Sequence, residues 1–182
     1  MFRALRSDSI TLYLITEDNW GEVCSRSQGV PDSFELLEEM RENYVPRLEG
    51  GQRTRYSFYV TLEDELAGLT LLDVGSWDTL TGSTGADVLL HMRGKGVAPR
   101  SKPHLFYLTF ELLGLVRVET GCLVSNTASR KSIEKTVGFA FEGTPRQSGW
   151  GDEGQLEDEH HYAILKGDWR KLYNKSRLEV LD

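Results

Sequence analysis

A chain of 182 residues with 39% hydrophobic and 27% charged residues can bury one packed core, so a single domain over 1–182 is expected. A formal net charge of −7 argues against a nucleic-acid partner, which would need a basic face. No apolar run approaches the ~20 residues that cross a bilayer, so no membrane partner is expected either.

The first residues, Met1-Phe2-Arg3-Ala4-Leu5-Arg6, lack an apolar core of signal-peptide length. Ser9 to Ile15 is rich in β-branched and aromatic residues and predicts a first strand. Thr16-Glu17-Asp18 is a helix start with early acids. Cys24 has only Cys122 to pair with, far along the chain and without metal spacing. One disulfide is left open by sequence, but a reduced pair in a cytoplasmic protein without a metal is the expectation. Asp32 or Ser33 caps a second predicted helix, in which Phe34, Leu37, Met40 and Tyr44 recur at helical spacing. Gly50-Gly51 ends it.

Tyr56 to Leu62 and Leu66 to Val74 predict a hairpin around Glu63-Asp64-Glu65. A third strand is expected over roughly Ser83 to His91, before the basic glycine turn Arg93-Gly94-Lys95-Gly96-Val97-Ala98. Pro99 and Pro103 flank the next helix start. Ser101 as its cap, with Pro103 in the first turn, fits the tolerance of early helix positions for proline. Leu105, Phe106, Leu108, Phe110, Leu112 and Leu113 give that helix a broad apolar stripe ending at Gly114. Val116 to Val124 is the next strand. Asn126-Thr127-Ala128-Ser129 opens a helix that runs toward Gly138-Phe139. Phe139 to Gly143 and His160 to Leu165 are strands on either side of a polar loop. The alternation by itself suggests an α/β or α+β domain with a mostly antiparallel sheet.

The glycine turn and the Asn126 motif each have a plain reading. The first is compatible with an ordinary surface turn, and the second with a simple helix cap. In this order, with a helix and a strand between them, they resemble the GNAT superfamily of N-acetyltransferases. The pattern of Arg or Gln, two residues, Gly, one residue, then Gly or Ala is met by Arg93, Gly96 and Ala98. The branch resembled most acetylates N-terminal alanine of ribosomal proteins. The resemblance implies a mixed, mostly antiparallel sheet of about six or seven strands flanked by about four helices.

It further implies acetyl-CoA as co-substrate. Arg93, Gly94, Lys95, Gly96, Val97 and Ala98 would form the cofactor turn, with the pyrophosphate on backbone amides from about Lys95 to Ala98, where glycine permits close approach and the helix dipole favours anions. The strand before the turn would splay from its neighbour, and Leu89, Leu90 and His91 are the expected backbone partners of the pantetheine arm. Asn126 would touch the pantetheine or the acyl region, and Arg130 is either a phosphate contact or a solvated residue. Ser129 would assist the departing thiolate, which leaves as an anion and needs a donor. Asp87 stands where the family has an apolar residue. It either orients and deprotonates an amine or faces solvent. The spacing from Asn126 to Gly138 is one residue longer than the family's usual interval, which an extra turn residue near Thr136-Val137 would absorb.

Glu157-Asp158-Glu159-His160-His161 follows in the region that borders the acceptor site in such enzymes. Glu159 and His161 share one strand face. Negative charge there would attract a protonated amine, and Tyr44 is expected to help line the acceptor site. A peptide or protein N-terminus is the first expectation for the acceptor. A small cationic amine (polyamine, aminoglycoside or amino acid) is the alternative, and a non-catalytic CoA-binding module is a further one. A homodimer is left open.

Overall fold

The computed structural model describes residues 3–30, 37–38, 41, 48–49, 52–151, 153–173 and 178–181. The hairpin β1 (Ala4–Ser7) and β2 (Ile10–Leu14) opens the chain. A 3-10 turn, Glu17–Asn19, is closed by Asn19 Oδ1 accepting the Thr16 amide at 2.8 Å. Helix α1 (Trp20–Ser27) continues from it. A small ribbon pairs β3 (Leu48–Glu49) with β4 (Gln52–Arg53). Three long strands follow: β5 (Arg55–Leu62), β6 (Glu65–Ser76) and β7 (Thr81–Val88). Glu63 and Asp64, both with φ above +50°, make the tight turn expected between the first two.

Beyond β7 come α2 (Val97–Tyr107), β8 (Arg117–Leu123), α3 (Thr127–Lys135) and β9 (Ala140–Gly143). A ribbon of β10 (Gly149–Trp150) and β11 (Leu156–Glu157) leads to β12 (Glu159–Leu165), α4 (Lys166–Leu172) and β13 (Glu179–Leu181). The main sheet has nine strands in the order β13-β1-β2-β5-β6-β7-β8-β12-β9. All its pairs are antiparallel except β7 with β8.

The sheet is therefore wider than the six or seven strands expected. The added strands include β1 and β13, too short to carry a periodic pattern, which pair with each other at one edge. Two further expectations are corrected. The third strand does not reach His91: Leu89 N–H makes a bond to Ala67 O at 3.0 Å, and Leu90–Met92 then wind into a 3-10 turn. Burial of Leu89 and Met92 bends the chain inward at this point. Helix α2 begins at Val97 with Gly96 as N-cap, not at Ser101. Pro99 falls in the first turn, where its missing N–H is not needed. Pro103 sits inside the helix and leaves Pro99 O without its amide. Ser101 instead turns its hydroxyl back to Ala98 O at 2.8 Å. The helix survives the proline because Leu105, Phe106, Leu108 and Phe110 are fully buried. Its end widens into a π turn over Leu108–Leu112, closed by Leu113 N–H to Leu108 O at 2.9 Å.

Period-2 alternation assigns the two sheet faces. On one lie α2, α3 and α4. Phe106 and Trp169 pack on Val118 and Ile164, and Ile133 packs on Cys122 and Tyr162. On the other lies α1, whose Arg26 guanidinium sits 5.6 Å and 6.0 Å from the rings of Tyr13 and Tyr59, themselves stacked at 4.7 Å. The expected second helix is described only at Leu37, Glu38 and Arg41. Leu37 packs partly buried on the core, and Tyr44 lies outside the described residues.

Candidate active site: a wedge between two parallel strands

Strands β7 and β8 share three rungs, Thr81 with Arg117, Gly82 with Val118 and Ser83 with Glu119. Past them the Thr120 hydroxyl donates to Thr84 O at 2.9 Å, and no further rung joins the two strands among the described residues. A wedge opens between 85–88 and 121–124. The Thr84 carbonyl points toward β8, so the amide and carbonyl of Ala86 and Val88 face the wedge as well. Among the described residues Arg93 Nε takes Val88 O, so the open groups are the Ala86 amide and carbonyl and the Val88 amide, not the backbone of Leu89, Leu90 and His91. Those three lie at or beyond the strand end, so the expectation that they offer the exposed backbone is corrected.

The glycine turn sits above the wedge. Gly94 and Gly96 have φ of +80° and +76°, a left-handed backbone that glycine adopts without strain. Arg100 N–H to Gly96 O at 3.1 Å is a first-turn helical bond of α2. The amides of Val97 and Ala98 lie ahead of it at the positive end of an eleven-residue helix. Arg93, Lys95 and Arg100 surround this end. Arg93 Nε reaches Val88 O at 3.3 Å, Lys95 Nζ reaches Met92 Sδ at 3.4 Å, and Arg100 donates to Ser9 Oγ at 2.6 Å. Open amides, a dipole and three cations suit a diphosphate. A cavity of about 390 Å³ lies away from the wedge, between the β1–β2 turn and the outer side of α2. Ser7, Arg100, Lys135 and Tyr173 are among its walls.

Across the wedge, Asn126 Oδ1 accepts the Ser129 amide at 2.9 Å and caps α3. Ser129 Oγ lies beside Cys122, whose thiol is pushed up by burial and drawn partly back by that hydroxyl. Arg130 is engaged by Glu134 at 2.9 Å, which favours its reading as a surface ion pair. Helix α3 ends at Lys135, and Thr136 leaves in an extended conformation.

The acids sort themselves by face. Asp158 accepts the Gln147 amide at 2.8 Å and Glu157 accepts from Gln155 at 2.9 Å, so both hold the loop. Glu159 and His161 lie on the α1 face, 3.8 Å apart, opposite Leu123 and Gly121 of β8. Gly149 lets the β10 ribbon press onto this place: a Cβ there would lie 2.6 Å from Leu123 and 2.8 Å from Glu159. His160 points to the other face and bonds Thr144. Asp87 is exposed on the α1 face, without a hydrogen bond or ion pair among the described residues. Glu119 is on the same face but is held by Arg117.

Sequence reasoning missed Lys102, Thr84 and Thr120. Lys102 is 6% exposed and reaches the root of the wedge. A lone lysine on a helix gives no local sign that it points inward.

No family model and no curated protein sequence matches the chain. Solved structures do. A chimera of Vibrio cholerae SpeG spermidine N-acetyltransferase and hSSAT superposes with a TM-score of 0.67 at 18% identity, covering 90% of this chain and 99% of that one. A dodecameric spermidine N-acetyltransferase from Vibrio cholerae gives 0.65 at 18% identity, covering 88% and 96%. Another acetyltransferase structure gives 0.70 at 19% identity, covering 97% of each chain. At such identities the likeness establishes the fold: this chain has the GNAT fold. Two of these three are named as spermidine acetyltransferases, and none carries the name of the ribosomal-protein branch that the motifs resembled.

Proposed function

We propose that the protein transfers an acetyl group from acetyl-CoA to a small cationic amine of the polyamine type. The observation that carries this reading is the placement of carboxylates around the wedge. Continuing the parallel register beyond Ser83 and Glu119 brings Asp87 level with Leu123, the partner of Glu159. One acid therefore stands on each side of the opening, on one face of the sheet. A protonated amine gains from both, while the cations Arg93, Lys95 and Arg100 sit at the diphosphate end. The spermidine acetyltransferases of the same fold support this acceptor class over a protein N-terminus, the first expectation from sequence.

When bound, acetyl-CoA supplies the activated acyl group as a thioester. The residues of this chain hold it and the amine in line. Val97 and Ala98 amides take the pyrophosphate, and Ala86 and Val88 offer their backbone to the pantetheine arm. Ala86 N–H is the donor placed to polarise the thioester carbonyl. Asp87 and Glu159 hold the ammonium, and one of them, His161 or a water takes its proton. The amine nitrogen then attacks the carbonyl carbon, the C–S bond breaks, and Ser129 stands where it can protonate the leaving sulfur.

Thiol release from acetyl-CoA against a panel of spermidine, spermine, an aminoglycoside and an N-terminal-alanine peptide tests the proposal. Polyamines are expected to give the highest kcat/KM. A peptide that outperforms them returns the reading to a protein N-terminus. No release with any amine, despite CoA binding, favours a non-catalytic module.

A further inference from the structure

We infer that Lys102 is a positioning residue for acetyl transfer: its buried ammonium polarises the Gly85–Ala86 peptide, and through it the Ala86 N–H that faces the wedge. This deepens the acetyl-transfer reading and rests on it. Lys102 Nζ donates to Gly85 O and to Thr84 Oγ1, each at 2.9 Å, and lies 3.5 Å from Thr70 Oγ1. Three donors of one ammonium are thus aimed at one spot on the β6–β7 pair. The surrounding hydroxyls are also committed. Thr70 donates to Gly85 O at 2.8 Å, Thr84 to Leu71 O at 2.6 Å and Thr120 to Thr84 O at 2.9 Å. This network sits where β7 parts from β8, one residue past the last rung.

The peptide geometry carries the effect across the strand. A trans peptide is planar, so Gly85 C=O and Ala86 N–H point in opposite directions. The carbonyl points to β6 and the ammonium, and the N–H points into the wedge. A charge-assisted bond on the carbonyl withdraws electron density from the amide and strengthens its N–H as a donor. A donor fixed before reaction, aimed at the oxygen where charge develops, acts on the transition state more than on the bound substrate.

No carboxylate pairs with Lys102 among the described residues. A buried cation without an ion-pair partner costs stability that an apolar residue would avoid. The polarising role accounts for the charge at this position. Burial pulls the Lys102 pKa down to about 7, and the charge of Asp87 on β7 draws it partly back up. The groups facing it from β6 and β8, Thr70 and Thr120, are uncharged. On α2 itself, His104 is held neutral by burial. The polarisation is therefore lost as pH rises through neutrality.

The test uses acetyl-CoA labelled with 13C at the thioester carbonyl, bound to the full chain, and compares the parent with Lys102→Met by difference infrared spectroscopy. The carbonyl band should move to lower frequency on binding the parent and lose about half or more of that shift in the variant. With the best amine of the panel, kcat should fall about tenfold, below the range for losing a whole oxyanion donor. Acetyl-CoA affinity by calorimetry should stay within about threefold, and the alkaline fall of kcat in the parent should vanish. Equal band shifts together with kcat within about twofold overturn the inference and leave the acetyl-transfer reading standing. Failure of the parent to bind acetyl-CoA overturns both. If Lys102→Met does not fold, the parent alone decides: its carbonyl band should relax upward across about pH 6 to 8, and a band that does not move with pH overturns the inference.

Discussion

Asp87 of β7 and Glu159 of β12 lie on one sheet face, the face that carries α1, with β8 between their strands. Neither is adjacent to the other in sequence. The proposed function sets this acidic face against the cationic glycine turn, so that an anionic co-substrate and a cationic acceptor would approach one wedge without competing.

Replacing Asp87 with Asn and Glu159 with Gln together should raise KM for a polyamine about tenfold at low salt, with KM for acetyl-CoA nearly unchanged. The difference should shrink as ionic strength rises, because exposed charges are screened over about 10 Å at 0.1 M. Steady-state kinetics across a salt series checks this. Acceptor kinetics equal to the parent at low salt would remove both acids from the site.

Gly96→Glu should weaken acetyl-CoA binding at least about tenfold in calorimetry. The +76° φ of Gly96 forces strain on any side chain, about 1 kcal/mol or more. The added carboxylate also opposes the diphosphate. Space is not the obstacle, since a Cβ there meets only the Arg100 side chain at 3.6 Å or beyond. Unchanged affinity would place the diphosphate elsewhere.

Ser129→Ala and Asn126→Ala should separate chemistry from capping. The Ser129 side chain is not the cap, because Asn126 Oδ1 accepts its backbone amide. Ser129→Ala should therefore lower kcat about ten- to a hundredfold with an unchanged Tm. Asn126→Ala should cost about 1 kcal/mol of stability through loss of the cap. If the first variant turns over like the parent, Ser129 only starts a helix.

His104 should make the fold acid-sensitive. Burial holds its pKa down at about 4, below the ~6.5 of an unfolded histidine, while Ser7 Oγ lies 3.0 Å from its Nε2. The unfolded chain binds the proton first as pH falls. The neutral ring's contribution is complete above about pH 6.5 and is lost progressively toward pH 4, to a total of order 3 kcal/mol. Denaturant melts of the parent and His104→Gln over this range check it. The variant should show a shallower loss, and parallel curves would assign the acid sensitivity to carboxylates instead.

Much of this protein could be read from the sequence by itself. The GNAT fold was legible through the resemblance carried by the order of two motifs, whereas the glycine turn, the Asn126 cap and the β5–β6 hairpin depend on local backbone preferences: positive φ at glycine, a side chain that caps an amide three residues on, and period-2 strands. These are written within a few residues of the atoms they control. The inward turn of Lys102, the commitment of Glu157 and Asp158 to their loop, and the placement of Asp87 and Glu159 on one sheet face were decided only by tertiary structure. So were the end of β7 at Val88 and the survival of α2 through Pro103. In each case, partners far apart in the chain set the result. Burial of Leu89 and Met92 bends β7 away, and Phe106 and Phe110 hold a helix that proline alone would break. Thr84 and Gly85, 18 and 17 residues from Lys102, give its ammonium somewhere to point. Local rules name the elements; the register of β7 on β8 decides which residues meet at the wedge.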